Sequence, residues 1–124
     1  MEEKIDPIMP EYANDPVFQE MVTLCAMIGL NVHYCELEDR IVGRTDKYLG
    51  VIEMSKEDIY KSSEYAAKVL GHELAHSIVD HTKESEDGEE IDCDRLGEAL
   101  YIFADLICLH KVEEQTRELF QNRL

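Results

Sequence analysis

Apolar side chains fall in stretches of different period along this chain, and the changes of period mark its elements. Val17, Met21, Leu24, Cys25 and Ile28 recur at helical spacing, so a helix is expected over residues 17–28, with Gly29 as its stop. Residues 5–16 carry Pro7, Pro10 and Pro16 and read as an irregular lead-in. Short apolar runs follow: Val32, Tyr34 and Leu37, then Ile41-Val42-Gly43, then Leu49 to Met54. Glu38-Asp39 and Thr45-Asp46-Lys47 interrupt them, so a small antiparallel sheet of three strands is expected.

Ser55, with Asp58 three residues on, approximates a capping box and predicts the start of a helical region. A long helix should run from about Ser63 to Asp80. Ala66, Ala67, Val69, Leu70, Gly71, Leu74, Ala75, Ile78 and Val79 cover most of its circumference, the mark of a largely buried helix. Residues 83–94 are almost all polar and read as a loop. A last helix is expected from about Ile91 to Phe120, bent or broken near Lys111. Leu96, Ala99, Leu100, Phe103 and Ile107 form its core face, widened by Ile102, Ala104, Leu106 and Leu109. The sum is a single α+β domain over residues 1–124: a small sheet packed with an N-terminal, a central and a C-terminal helix.

Charge narrows the function classes. With 12 basic and 28 acidic residues the net charge is −16, which repels nucleic acid phosphates and anionic lipid and attracts basic partners. The N-terminus is polar and no apolar run approaches the ~20 residues of a membrane helix, so a cytoplasmic protein is expected. Cys25, Cys35, Cys93 and Cys108 form no C-x-x-C pair and are expected to be reduced thiols.

The central helix contains His72-Glu73-Leu74-Ala75-His76, an H-E-x-x-H motif. Histidines four apart stand one turn above each other, so both imidazoles reach one ion, and zinc accepts neutral imidazole with a position left open. Glu73 is rotated by about 100° from His72, which suits a base acting on water rather than a ligand. The alternative, two ordinary surface histidines, fits poorly with a helix so largely apolar. Candidates for a third ligand downstream are Glu89, Glu90, Asp92, Cys93, Asp94 and Glu98. On the last helix only Asp94, Glu98, Tyr101 and Asp105 form a polar stripe, which faces either the cation or water. Nothing else in the sequence suggests a thiolate site at Cys93.

From Gly29 onward the order of features resembles the ImmA/IrrE family of metallopeptidases. Ile28-Gly29-Leu30-Asn31-Val32 matches that family's Leu-Gly-Ile-x-Val-like turn loosely, and the H-E-x-x-H precedes an apolar stretch as it does there. Glu98-Ala99-Leu100-Tyr101-Ile102-Phe103-Ala104-Asp105-Leu106-Ile107 matches the family's Glu-Ala-x-x-Phe-Ala-Ala-x-Leu-Leu pattern without a gap. The chain departs from the family at Cys108-Leu109-His110, where Met-Pro is usual. The resemblance implies a zincin-like fold, with zinc held by His72, His76 and Glu98, and Glu73 as the catalytic base. It also implies cleavage of a helix-turn-helix repressor, a basic protein suited to an acidic enzyme. Asp80, four residues after His76, either holds that ring from behind or is an exposed aspartate of the helix end, and Tyr101, His81, Tyr34 or Tyr48 is expected to supply an oxyanion donor. The rival readings are an acidic anti-repressor module with structural or vestigial zinc, and a zinc hydrolase of a small-molecule amide.

Overall fold

The computed structural model describes residues 9–46, 48–57, 59–79 and 86–122. A 3-10 turn at Glu11–Asn14 sits in the proline-bearing lead-in and leads to helix α1 (Pro16–Met27). Asp15 caps α1, its Oδ2 accepting the N–H groups of Val17 and Phe18 at 3.1 Å, while Pro16 occupies a first-turn position that lacks an N–H partner anyway. Phe18, Met21 and Cys25 are the buried face. Gly29 ends the helix with φ +84°, a conformation other residues adopt only at a cost, and Leu30 N–H returns to the Cys25 carbonyl at 2.9 Å.

Three strands follow, β1 (Asn31–Cys35), β2 (Gly43–Asp46) and β3 (Val51–Ser55), in the order β1-β3-β2. The sheet is mixed and not antiparallel throughout: β2 and β3 form an antiparallel hairpin, whereas β1 runs parallel to β3, Asn31 beside Val51 and Cys35 beside Ser55. Burial explains the order. β3 inserts Ile52 and Met54 fully into the core and takes the centre, while residues 36–42 carry the chain across to the far edge. The second strand also lies later than the apolar run predicts. Ile41 and Val42 precede it, and the polar Gly43-Arg44-Thr45-Asp46 forms the edge strand.

Ser55 closes β3 and caps no helix; its Oγ accepts the Glu57 N–H at 3.1 Å, and Asp58 lies outside the described residues. Ser62 is the cap of helix α2 (Ser63–Ile78), accepting the Tyr65 N–H at 3.1 Å. As its sequence predicts, α2 is largely buried, through Ala66, Ala67, Val69, Leu70, Gly71, Leu74 and Ala75. Helix α3 (Glu86–Asn122) is one run of 37 residues, starting earlier than expected and unbroken at Lys111, whose Nζ pairs with the Glu20 carboxylate of α1.

The helices α2 and α3 run antiparallel and cross closely at two glycines. A Cβ on Gly71 would stand 2.8 Å from the Gly97 carbonyl oxygen, and one on Gly97 would stand 2.8 Å from the His72 nitrogen. Cys93 and Gly97 are buried against α2, Ala104 is buried in the core, and Leu100 packs partly against it. The predicted core face is wrong in part, because Ala99, Ile102, Phe103, Leu106 and Leu109 are exposed. Helical period identifies an apolar face, but the small residues that let backbones approach decide which face is buried. No helix among the described residues is long and apolar enough to cross a membrane, and all four cysteines are free thiols.

Candidate metal centre

An open cleft of about 940 Å³ lies between β2, the motif face of α2 and the start of α3. Arg40, Arg44, Thr45 and Tyr48 line its sheet side, Glu89 and Glu90 its α3 side, and His72, Glu73 and His76 its floor. The Nε2 atoms of the two histidines face each other at 3.0 Å. Ligand atoms of His72, Glu73 and His76 all lie within 4.8 Å of one another.

Helix α3 supplies three carboxylates to these rings. Glu90 bridges them on the cleft side, its Oε2 lying 3.1 Å from His72 Nε2 and its Oε1 3.1 Å from His76 Nε2. Asp94 and Glu89 take the opposite nitrogens: His72 Nδ1 lies 2.7 Å from Asp94 Oδ1 and His76 Nδ1 lies 2.9 Å from Glu89 Oε1. A carboxylate at Nδ1 holds the hydrogen on that nitrogen and leaves the Nε2 lone pair directed into the cleft. Cys93 backs the same side of His76, its Sγ 3.4 Å from Nδ1, giving a second close grouping of His76, Glu89 and Cys93. Burial, reinforced by Glu89 and Glu90, pushes the Cys93 thiol up to about 11.

Glu73 is buried beside the histidines and held from β2. Thr45 Oγ1 lies 2.8 Å from Glu73 Oε1 and 3.0 Å from the Glu73 carbonyl oxygen, so one hydroxyl steadies both side chain and backbone. Gly43 lets β2 approach, since a Cβ there would meet Glu73 Cγ at 3.0 Å.

Glu98, the third ligand implied by the family resemblance, stands elsewhere. Its carboxylate is 3.5 Å from Lys68 Nζ on the exposed side of the helix pair. The reason is register: antiparallel packing sets residue 76 beside 89 and 90, residue 72 beside 94, and residue 68 beside 98, one turn away from the motif. Tyr101 lies under Lys68, whose Nζ is 5.3 Å from its ring centre, and Tyr34 packs edge-on against Tyr12 in the core. Of the proposed oxyanion donors Tyr48 lines the cleft, while His81, and Asp80 as the expected support of His76, lie outside the described residues.

Thr45 was hidden from the sequence because it sat in what looked like a strand break. Glu90 and Asp94 did carry a signal, since they repeat at the same spacing of four as His72 and His76. No protein-family model, curated protein or solved structure matches the chain.

Proposed function

We propose that the chain is a zinc-dependent endopeptidase, with His72, His76 and Glu90 as its protein ligands and Glu73 as its base. The carrying observation is the convergence of two Nε2 lone pairs, 3.0 Å apart, with the Glu90 carboxylate 3.1 Å from each. Three acceptors meet there, which is a place for a cation. Two imidazoles on one tetrahedral zinc, at Zn–N distances of about 2.0–2.1 Å, stand roughly 3.3 Å apart, close to the observed separation. A donor set of two imidazoles and one carboxylate, with the outward nitrogens held by carboxylates, fits that ion.

A zinc ion bound there supplies Lewis acidity, acidifying water and polarising a peptide carbonyl. Glu73, fixed by Thr45, takes the proton from water as its oxygen attacks the carbonyl carbon, and returns it to the leaving amine. Among the described residues the polar edge strand β2 pairs only with β3, and an extended peptide added along its outer edge suits the open cleft. The substrate class follows the family resemblance and the charge: a basic helix-turn-helix repressor, met in the cytoplasm.

Incubating the zinc-loaded protein with such a repressor tests the reading, with Glu73→Gln as control. Cleavage lost in that variant while zinc is retained supports it, and equal cleavage by both removes Glu73 from the chemistry. Failure to take up zinc at all would favour the rival reading, an acidic binding module without hydrolytic activity.

A further inference from the structure

Ile52 and Met54 of β3 are buried in the core, so Glu53 between them faces the other side of the sheet. It belongs to a row that crosses all three strands, with His33 of β1 on one flank and Arg44 of β2 on the other. Both carboxylate oxygens of Glu53 are engaged. Arg44 Nε donates to Oε1 at 2.8 Å, and the Cys35 thiol donates to Oε2 at 3.1 Å. The row ends at Arg44 because β2 is the edge of the sheet. A strand added along β2 would extend it by one residue, directly opposite Arg44, where cross-strand side chains interact.

Arginine carries five N–H donors in a planar fork, and the bond to Glu53 uses one of Arg44's. Among the described residues Arg44 makes no other hydrogen bond or ion pair. Its two terminal amino groups are the pair that grips a carboxylate through parallel bonds. Neighbouring acids do not fill that place. Asp46, two residues on, gives its Oδ1 to the N–H groups of Tyr48 and Leu49, and Glu38 forms no ion pair with Arg44. A second cation, Arg40, lines the same cleft. It stands in the turn closed by the Ile41 N–H and the Glu38 carbonyl at 3.1 Å, with φ +73°, where glycine or asparagine is the usual choice. Backbone strain of that kind gathers at binding sites.

We propose that Arg44, with Arg40 on the same side of the cleft, is a specificity-determining residue that binds a carboxylate of the peptide: an aspartate or glutamate side chain opposite Arg44. That role rests on the cleft being a peptide site. It agrees with a basic substrate, because net charge governs the approach of the whole protein and this pairing concerns one of its residues.

A library of random short peptides, N-acetylated and C-amidated, tests the assignment on the zinc-loaded full chain. Peptides retained by Glu73→Gln protein and bonds cut by the native protein are both read by mass spectrometry. Retained peptides should be enriched in aspartate and glutamate, and cut bonds should have one at a fixed distance. Arg44→Ala should lower kcat/KM for an acidic peptide about 10- to 100-fold, through KM, and leave its glutamine counterpart unchanged. Position 44 is half-exposed on an edge strand, so the circular dichroism should not change. Arg44→Glu combined with Glu53→Arg keeps an ion pair and should turn the preference to lysine or arginine. Selective retention without hydrolysis would sink the peptidase reading and leave this one standing. Hydrolysis with no acidic preference, or with one that Arg44→Ala does not move, would overturn this one alone. A preference seen only in a library with free C-termini would give the carboxylate to the chain end and overturn the side-chain assignment. Neither retention nor cleavage would remove both.

Discussion

His72 Nδ1 lies 2.7 Å from Asp94 Oδ1, so the ring of a residue on α2 is oriented by a carboxylate from the neighbouring helix. Glu89 does the same for His76 at 2.9 Å, one turn along. Such short side chains bridge two helices only where the backbones come unusually close, and the crossing of Gly71 and Gly97 provides that approach. The glycines therefore belong to the site as much as the histidines do.

Zinc titration should separate the two glutamates offered as third ligand. Glu90→Ala removes a carboxylate 3.1 Å from both Nε2 atoms and should cost most of the affinity. Asp94→Ala should lower it about 10- to 100-fold, the usual effect of losing an outer partner of a ligand. Glu98→Ala should leave it unchanged, because that carboxylate pairs with Lys68. Loss of binding in Glu98→Ala alone would restore the assignment implied by the family resemblance.

Removing the base should leave the metal in place. Glu73→Gln keeps the shape of the buried side chain and should reduce turnover by roughly 10²- to 10⁴-fold. Thr45→Val deletes the hydroxyl 2.8 Å from Glu73 Oε1 and should give a smaller loss, on kcat more than on KM. Steady-state kinetics on one peptide substrate would compare them, and a Thr45→Val enzyme with full kcat would show that its hydroxyl is only structural.

The motif helix was legible because H-E-x-x-H and the apolar positions around it are properties of one segment. So were α1 and its glycine stop. What could not be read locally is how segments meet. The parallel pairing of β1 with β3 depends on where residues 36–42 deliver the chain. The polar strand β2 is stabilised by contacts with α2, and no local propensity announces it. The third carboxylate depends on the register of α3 on α2, which the matched spacing of Glu90 and Asp94 encodes only when both helices are considered together. Glu98, the ligand implied by the family resemblance, falls one turn short of the histidines in that register.

Closing the helix crossing should damage fold and site together. The Cβ of Gly97→Ala would stand 2.8 Å from the His72 nitrogen and 3.0 Å from its Cα, and backbone cannot yield as a side-chain tip does. Overpacking of this kind costs about 1–3 kcal/mol, which lowers the melting temperature by roughly 4–15 °C. Zinc affinity should fall in the same variant, because the α3 carboxylates retreat from the rings. Thermal melting and zinc titration of one preparation would show both, and a stable variant with weakened zinc would place the whole effect in the site.

Alkaline pH should destabilise the fold through groups far from the cleft. Burial, named first among the causes, pushes the Cys25 thiol and the Tyr34 hydroxyl up to about 12 each, and Tyr12 higher still. The folded protein thus holds these protons where the unfolded chain, with ordinary values of 9 for cysteine and 10 for tyrosine, releases them. Raised folded values mean that the stabilisation is complete below about pH 9 and is lost as pH climbs towards 12. Each group contributes a slope of at most about 1.4 kcal/mol per pH unit. Melting temperatures taken from pH 7 to 11 should hold level and then fall. Cys25→Ala removes the titrating thiol without overpacking the core, so it should flatten the decline, while the small cavity it leaves lowers the neutral-pH value. A decline equally steep in that variant would clear Cys25 and leave the buried tyrosines as the cause.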